Sequence, residues 1–250
     1  MWLRPAIEVI RIEEVGFEAE YDSLNIVNLT VTVRNVGNFT AFLRGGTVYG
    51  IPLGYWFNQP LVIILDGKHV LGWYSWPEDY IRVREPPAEI PIVRVKPGET
   101  KTITVGVYGD VLGMYGGWTK WLKYTNLTRK HTLTVIGRYT NSSALYTIPA
   151  PDIKMQVVGI ERGKGLGEWE LRIKVVNEWI APVSADWVEV YVDGRKLDES
   201  EYLSYVMGVR NDVVLPGEEG LLIIKLHYIA EDAKNIEVRL LQSRATIQLP

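Results

Sequence analysis

The sequence predicts an all-β chain built from two tandem sandwich modules, and three observations carry the prediction. Apolar residues recur at every second position in one stretch after another, as strands half-buried on a pleated sheet require. Asp-Gly and Pro-Gly dipeptides punctuate those stretches. The first half also returns in the second. VTVRNVGNFTAF, LDGKHV and VKPGET are echoed, in the same order, by IKVVNEWIAPVSA, VDGRKL and VLPGEE. Each copy reads as a strand ending on Asn, an Asp-Gly turn, and a Pro-Gly-Glu turn that opens another strand.

The elements follow in chain order. Leu29, Val31 and Val33 alternate with Asn28, Thr30, Thr32 and Arg34. Asp66-Gly67 and Asp193-Gly194 predict hairpins, because both central residues of a type I′ turn need positive φ. Ile103, Val105 and Val107 alternate after the turn at Pro97-Gly98. Gly163 to Gly167 reads as a loose hairpin loop between strands at 152–162 and 168–177. Leu222, Ile224, Leu226 and Tyr228 are expected on one face, with Ile223, Lys225 and His227 on the other. Helix is scarce: Thr119 to Asn126 and Ser200 to Tyr205 are each long enough for a turn or two. The prolines of Ile148-Pro149-Ala150-Pro151 end one strand and stiffen the passage to the next, which sets the modules at 1–150 and 151–250.

A chain of 250 residues suits two domains, each able to bury its own core. With no Cys, thiol catalysis, Cys-ligated zinc and disulfides are excluded together. A net charge of −3 lacks the basic stripe of a nucleic-acid binder. Residues 1–150 carry 15 Lys and Arg against 13 Asp and Glu; residues 151–250 carry 12 against 17. No apolar run approaches the ~18 residues of a membrane span; LVIIL at 61–65 is among the longest. Met1-Trp2-Leu3-Arg4-Pro5 leads straight into strand-like sequence, which leaves a cytoplasmic protein or an ectodomain whose targeting segment has been removed. The content of Lys, Glu and Arg without Cys also suits a thermophilic archaeal source.

The copies are unequal. From the Asn to the Asp-Gly turn is 31 residues in the first (35 to 66) and 16 in the second (177 to 193). The next two spacings, on to the Pro-Gly turn and from there to the closing Pro, are longer in the first copy as well. Insertions on a β-sandwich fall in loops, where binding usually resides, so the first copy is the candidate for function. Its insertions hold Tyr55-Trp56-Phe57, Trp73-Tyr74-Ser75-Trp76 and Tyr115 to Trp121. Trp56, Trp73, Trp76, Trp118 and Trp121 are therefore the ligand-binding candidates, as stacking faces for sugar rings or anchors for a protein partner. The competing reading makes them a satellite core beneath long loops. Trp169, Trp179 and Trp187 lie on or beside strands and are assigned to core.

Four of the seven Asn in residues 1–150 open an Asn-X-Ser/Thr sequon: Asn28, Asn38, Asn126 and Asn141. They are candidate glycosylation sites, Asn28 on the outward face of its strand and the others in turns; unmodified surface Asn is the alternative. Nucleophile-elbow, zinc-protease and phosphate-loop motifs are all missing. His69, His131 and His227 are widely separated and read as surface or edge residues. The carboxylates at Glu18, Glu20 and Asp22, and at Asp198, Glu199 and Glu201, read as solvated charge, since a calcium site needs oxygens converging from a loop. No catalytic residue, metal or cofactor is expected.

These turns carry a resemblance. Val33, Asn35, Gly37, Pro97, Gly98 and Glu99 in the first copy resemble the pattern of cell-adhesion-related domains of bacterial and archaeal surface proteins. So do Val188, Val190, Tyr191, Asp193, Gly194, Leu215, Pro216, Gly217 and Glu218 in the second. The second copy departs where Trp179 replaces the family's Gly. The chain is also similar to the water-stress and hypersensitive-response domain of type 2 late-embryogenesis-abundant proteins, through Leu65-Asp66-Gly67-Lys68 and the segment Trp118 to Tyr124. That family has Pro after the Asn, where this chain has Val36 and Glu178. Both resemblances imply immunoglobulin-like β-sandwiches with Greek-key connections, and neither brings catalytic residues. The function expected is a non-enzymatic extracellular module for surface display, adhesion or assembly. Its partner would be a surface glycan, a protein or further copies of itself, with no nucleic acid and no membrane insertion. A carbohydrate-binding module and a cytoplasmic stress-protection protein are the alternatives.

Overall fold

A computed structural model describes residues 6–20, 23–44, 60–75, 79–84, 87–108, 127–208 and 212–249. The fold is all-β, with antiparallel sheets of the sandwich type. The chain divides into two compact units at Ile148/Pro149, with 18–24 and 125–130 grouped with the second.

Apart from residues 18–20 and 23–24, the first unit is built from β1 (Ile7–Glu20), β2 (Ser23–Asn35), β3 (Ala41–Arg44), β4 (Leu61–Leu65), β5 (His69–Ser75), β6 (Asp79–Arg84), β7 (Pro87–Val95), β8 (Thr100–Tyr108), β9 (His131–Gly137) and β10 (Ser142–Ile148). A seven-stranded sheet runs β1-β2-β8-β5-β4-β9-β10, beside a three-stranded sheet β3-β7-β6. Alternation decides the faces. Leu29, Val31 and Val33 of β2, Ile103, Val105 and Val107 of β8, Ile63 and Leu65 of β4, and Leu133 and Val135 of β9 are all buried. Each large aliphatic side chain so placed contributes about 1.5–3 kcal/mol.

The second unit holds β11 (Ile153–Arg162), β12 (Trp169–Asn177), β13 (Val183–Ser184), β14 (Val188–Val192), β15 (Arg195–Lys196), β16 (Tyr202–Met207), β17 (Val213–Val214), β18 (Glu219–Leu226), β19 (Asn235–Leu240) and β20 (Ser243–Gln248). Its sheets run β11-β12-β18-β16, β15-β14-β19-β20 and β13-β17. The repeat therefore holds in three dimensions: β1, β2, β8 correspond to β11, β12, β18, and β4, β9, β10 to β14, β19, β20. Among the described residues the plans differ at the small sheet, where β6 has no counterpart beside β13 and β17, and at β5. Its start pairs with β4 (Ile63↔Leu71 to Leu65↔His69) and its end with β8 (Gly72↔Tyr108 to Ser75↔Val105). In the second unit those two tasks fall to separate strands, β15 on β14 and β16 on β18.

The turns form as their chemistry requires. Asp66 and Gly67 have φ of 51° and 66°, and Asp193 and Gly194 have 47° and 85°, both positive as in type I′. At the Pro-Gly turns, Glu99 N–H donates to Lys96 O at 3.0 Å and Glu218 N–H to Leu215 O at 3.1 Å. Gly98 and Gly217 supply the φ of 75° and 77° that the third position of a type II turn needs.

Three expectations are corrected. Ser200 to Tyr205 is no helix: Tyr202–Met207 is strand β16, because its residues find a ladder partner in β18. The described 3₁₀ turn Ala185–Trp187 is capped by Ser184 Oγ accepting from Asp186 N–H at 3.1 Å. Tyr228 does not share the core face of β18. That strand ends at Leu226, and a φ of 58° at Tyr228 turns its side chain out to 89% exposure. His131 is no surface residue; it is 3% exposed on β9. Thr119 to Asn126 lies outside the described residues.

Candidate functional site

The repeat converges on one buried residue in each unit. Asn35 and Asn177 both have 0% exposure. Asn35 Nδ2 donates to Phe39 O at 2.7 Å and Val95 O at 2.8 Å, and its Oδ1 accepts from Gly37 N–H at 2.9 Å. Asn177 Nδ2 donates to Ala181 O and Val214 O, both at 2.9 Å, and its Oδ1 accepts from Trp179 N–H at 3.0 Å. The main chain repeats as well. Asn35 N–H reaches Glu99 O and Asn177 N–H reaches Glu218 O, each at 2.9 Å, while Gly98 and Gly217 return N–H bonds of 2.8 Å to the two Asn carbonyls. A side chain that is both donor and acceptor is needed here, since burial leaves no water to serve those groups. This corner is scaffold, and it explains why Trp179 can replace Gly: only its backbone N–H is used. The indole goes inward to 3% exposure and donates Nε1–H to Pro149 O at 2.8 Å.

Of the proposed stacking tryptophans, Trp73 is placed, and it is no platform. It lies on β5 at 2% exposure and donates Nε1–H to Leu61 O at 3.2 Å. Its neighbours in sequence look like loop, but β5 carries the chain from one sheet partner to the next and turns the indole into the core. Trp56, Trp76, Trp118 and Trp121 lie outside the described residues, as does Asn126. Trp187 is buried with Trp179, while Trp169 is half-buried beneath the Arg162 guanidinium, 5.1 Å from its ring centre.

Two of the three described sequons are exposed and the third is half-buried. Asn38 is exposed in the turn after β2, and Asn141 is exposed at the β9–β10 turn with φ 55°. Asn28 is half-buried on the outward face of β2, opposite Gly106. Beside it, Glu14, Gly16, Thr30 and Thr104 complete a shallow hollow of about 310 Å³. A Cβ on Gly16 would stand 3.3 Å from Asn28 Cβ, so the glycine makes room for the amide. Next along the strands, Thr32 and Thr102 hydroxyls meet at 2.9 Å and Thr32 donates to Glu13. That bond, and then Arg11 at 2.5 Å, hold the Glu13 carboxyl below its ordinary range. The threonine hydroxyls of this face bond among themselves and to Glu13.

Several charges of the second unit are paired. Glu189 accepts from Lys196 and from Tyr191 Oη at 3.0 Å; the Lys196 bond leads in holding its carboxyl down against a burial that pushes up. Arg239 pairs with Glu237 and lies 4.1 Å from the centre of the Tyr191 ring. Glu201 takes Arg195 at 2.8 Å and the Asp198 N–H at 2.9 Å. Glu18 is exposed, and Asp22 and the Glu20 side chain lie outside the described ones. Among the described residues no three His, Asp or Glu side chains gather as metal ligands would.

One pair escaped the sequence reading. His131 Nδ1 lies 2.8 Å from Asp66 Oδ2, and Asp66 Oδ1 accepts from Thr132 N–H at 2.9 Å. The matching Asp193 accepts instead from Lys234 and Asn235 N–H. Aligning the strands beyond the turns would have set His131 against Lys234 and pointed to it.

No protein-family model matches the chain, and neither does any curated protein. Among solved structures, a YadV chaperone matches over 88% of this chain and 92% of its own, at 12% identity and a TM-score of 0.24. A protein of unknown function from Porphyromonas gingivalis W83 matches over 97% of each chain, at 11% identity and a TM-score of 0.24. Red sea bream transglutaminase matches over 96% of this chain and 31% of its own, at 11% identity and a TM-score of 0.28. None of the three superposes closely enough to assign a shared fold.

Proposed function

We propose that this chain is a non-enzymatic extracellular module, in which two β units act as a support for surface display, adhesion or assembly. The observation that carries the reading is the placement of the sequons. Asn38 and Asn141 stand exposed in turns and Asn28 borders an outward hollow, so a glycosylating enzyme could reach each without unfolding a core. The paired charges of the second unit and the duplicated Asn corners support a scaffold role. Partners would be a surface glycan, a protein or further copies of the chain.

The test is mass spectrometry of protein purified from its native host. Hexose- or hexosamine-containing mass additions on peptides carrying Asn38 or Asn141 are expected. Full-occupancy unmodified peptides at every sequon would remove the case for export.

A further inference from the structure

We infer that the outward face of β4, β5, β9 and β10 is a self-association surface, docking on the same face of a second copy of this chain. The inference uses the make-up of that face and does not depend on export. The repeat supplies a like-for-like control, because the second unit has the same strands in the same order. Cross-strand register aligns the faces position by position. In the first unit one row reads Val70, Ile64, Thr134, Leu145 and the next Val62, Ile136, Ser143. The corresponding rows in the second unit are Lys196, Tyr191, Glu237, Thr246 and Glu189, Arg239, Arg244. Five of those seven are ionisable as Lys, Arg or Glu, and four of them pair, Lys196 with Glu189 and Arg239 with Glu237, while Arg239 also stacks on Tyr191. None of the seven in the first unit carries charge. Yet Val70 is 67% and Leu145 64% exposed.

A sheet face open to water normally alternates apolar-in and polar-out. The second unit obeys that rule and the first breaks it at the same positions, so fold alone does not dictate an apolar face here. The missing charge also selects the occupant. Across a two-fold axis each residue class meets its own kind. A charged face would set like charges together, whereas this face sets Val, Ile, Leu and Thr against themselves and buries no ion. Thr132 and Thr147, the next pair along the sheet, are also uncharged, and Asp66 at the end of their row is engaged by His131 and the Thr132 N–H.

Size sets the strength. Four strands ~4.8 Å apart and three rows of residues ~7 Å apart give a footprint of roughly 400 Å² on each partner. That is below the ~1,200 Å² total of a stable standard interface, so the association is weak and concentration-dependent. It becomes persistent when many copies are held side by side, as the gain from multivalent linkage requires.

Sedimentation velocity of the full chain from about 5 μM to about 1 mM tests this. The weight-average sedimentation coefficient of the wild type is expected to rise with concentration. Val70→Lys combined with Leu145→Lys, which brings like charges together across the axis, is expected to raise the dissociation constant on the order of tenfold or more. Thr246→Lys, at the second unit's equivalent of Leu145, is expected to leave it at the wild-type value. A wild type that stays monomeric to the highest concentration, or a Thr246→Lys effect as large as the double variant's, overturns the inference. Hydrogen exchange on the wild type, dilute against concentrated, does not depend on any variant folding. Added protection in β9 and β10 supports the face, and no added protection there refutes it.

Discussion

Replacing Asn177 with Ala removes two amide donors and one carbonyl acceptor from a site with no access to water. Ala181 O and Val214 O lose partners at 2.9 Å, and Trp179 N–H loses one at 3.0 Å. Each buried backbone group left unsatisfied costs about 1–3 kcal/mol. Some relief comes from shifts of the chain, so about 3–5 kcal/mol is expected for the three. That is a large part of the ~5–15 kcal/mol by which a domain is stable. Asn177→Asp should be worse at neutral pH. It keeps the acceptor for Trp179 but points a carboxylate oxygen at two carbonyls, and the deficit should shrink on acidification as the carboxyl gains a proton to donate. Urea unfolding followed by tryptophan fluorescence reads the result, since Trp169, Trp179 and Trp187 all lie in the second unit. Asn35→Ala should produce a loss of the same size in the first unit, because its bonds are the same. A loss below about 1 kcal/mol for Asn177→Ala would refute the view that this corner anchors the unit.

Trp73→Ala should lower stability by about 3–5 kcal/mol through the cavity it opens; a near-neutral change in thermal unfolding would mean that the indole is not core. Gly217→Ala adds a Cβ that meets nothing within 4 Å but holds φ at 77°. Its cost is therefore the backbone strain alone, about 1 kcal/mol, and a melting temperature equal to wild type would contradict it. The Glu189 carboxyl is held below its ordinary value of 4.5, chiefly by Lys196. A depressed folded-state pKa gives stability that is present above the unfolded value and lost as pH falls through the folded one. Glu189→Gln should thus lower stability slightly at pH 7, converge with wild type in acid and flatten the decline below about pH 4.5; identical acid limbs in wild type and variant would refute the pairing. Because the pair is partly exposed, the effect should be small and weaken with salt.

Local chemistry made much of the fold readable. The Asp-Gly and Pro-Gly pairs act through φ at one or two residues, so their turn types follow from the dipeptide. Alternation along β2 and β8 named the buried residues, because a strand's faces are set by the residue's own position. Reading failed where a neighbour in space decides. Ser200 to Tyr205 follows the acidic Asp198 and Glu199 and is long enough for a helical turn, but hydrogen bonds to β18 make most of it strand. His131 looks like an ordinary edge residue until Asp66, 65 positions earlier, is brought to 2.8 Å. Trp73 shares a segment with loop-like aromatics, and only the change of partner along β5 turns it inward.

The same division runs through the candidate surface. That β4, β9 and β10 have neutral outward residues can be counted along the chain, and so can the charges of β14, β19 and β20. Spacing and alternation are intrinsic to each strand, and the repeat is intrinsic to the pair. Which outward residues stand side by side is another matter. Val70, Ile64, Thr134 and Leu145 span 81 positions from the first to the last in sequence, and only cross-strand register places them in one row. A continuous apolar face, like a buried hydrogen-bonding corner, is a property of register, and hydrogen bonds between distant strands set register.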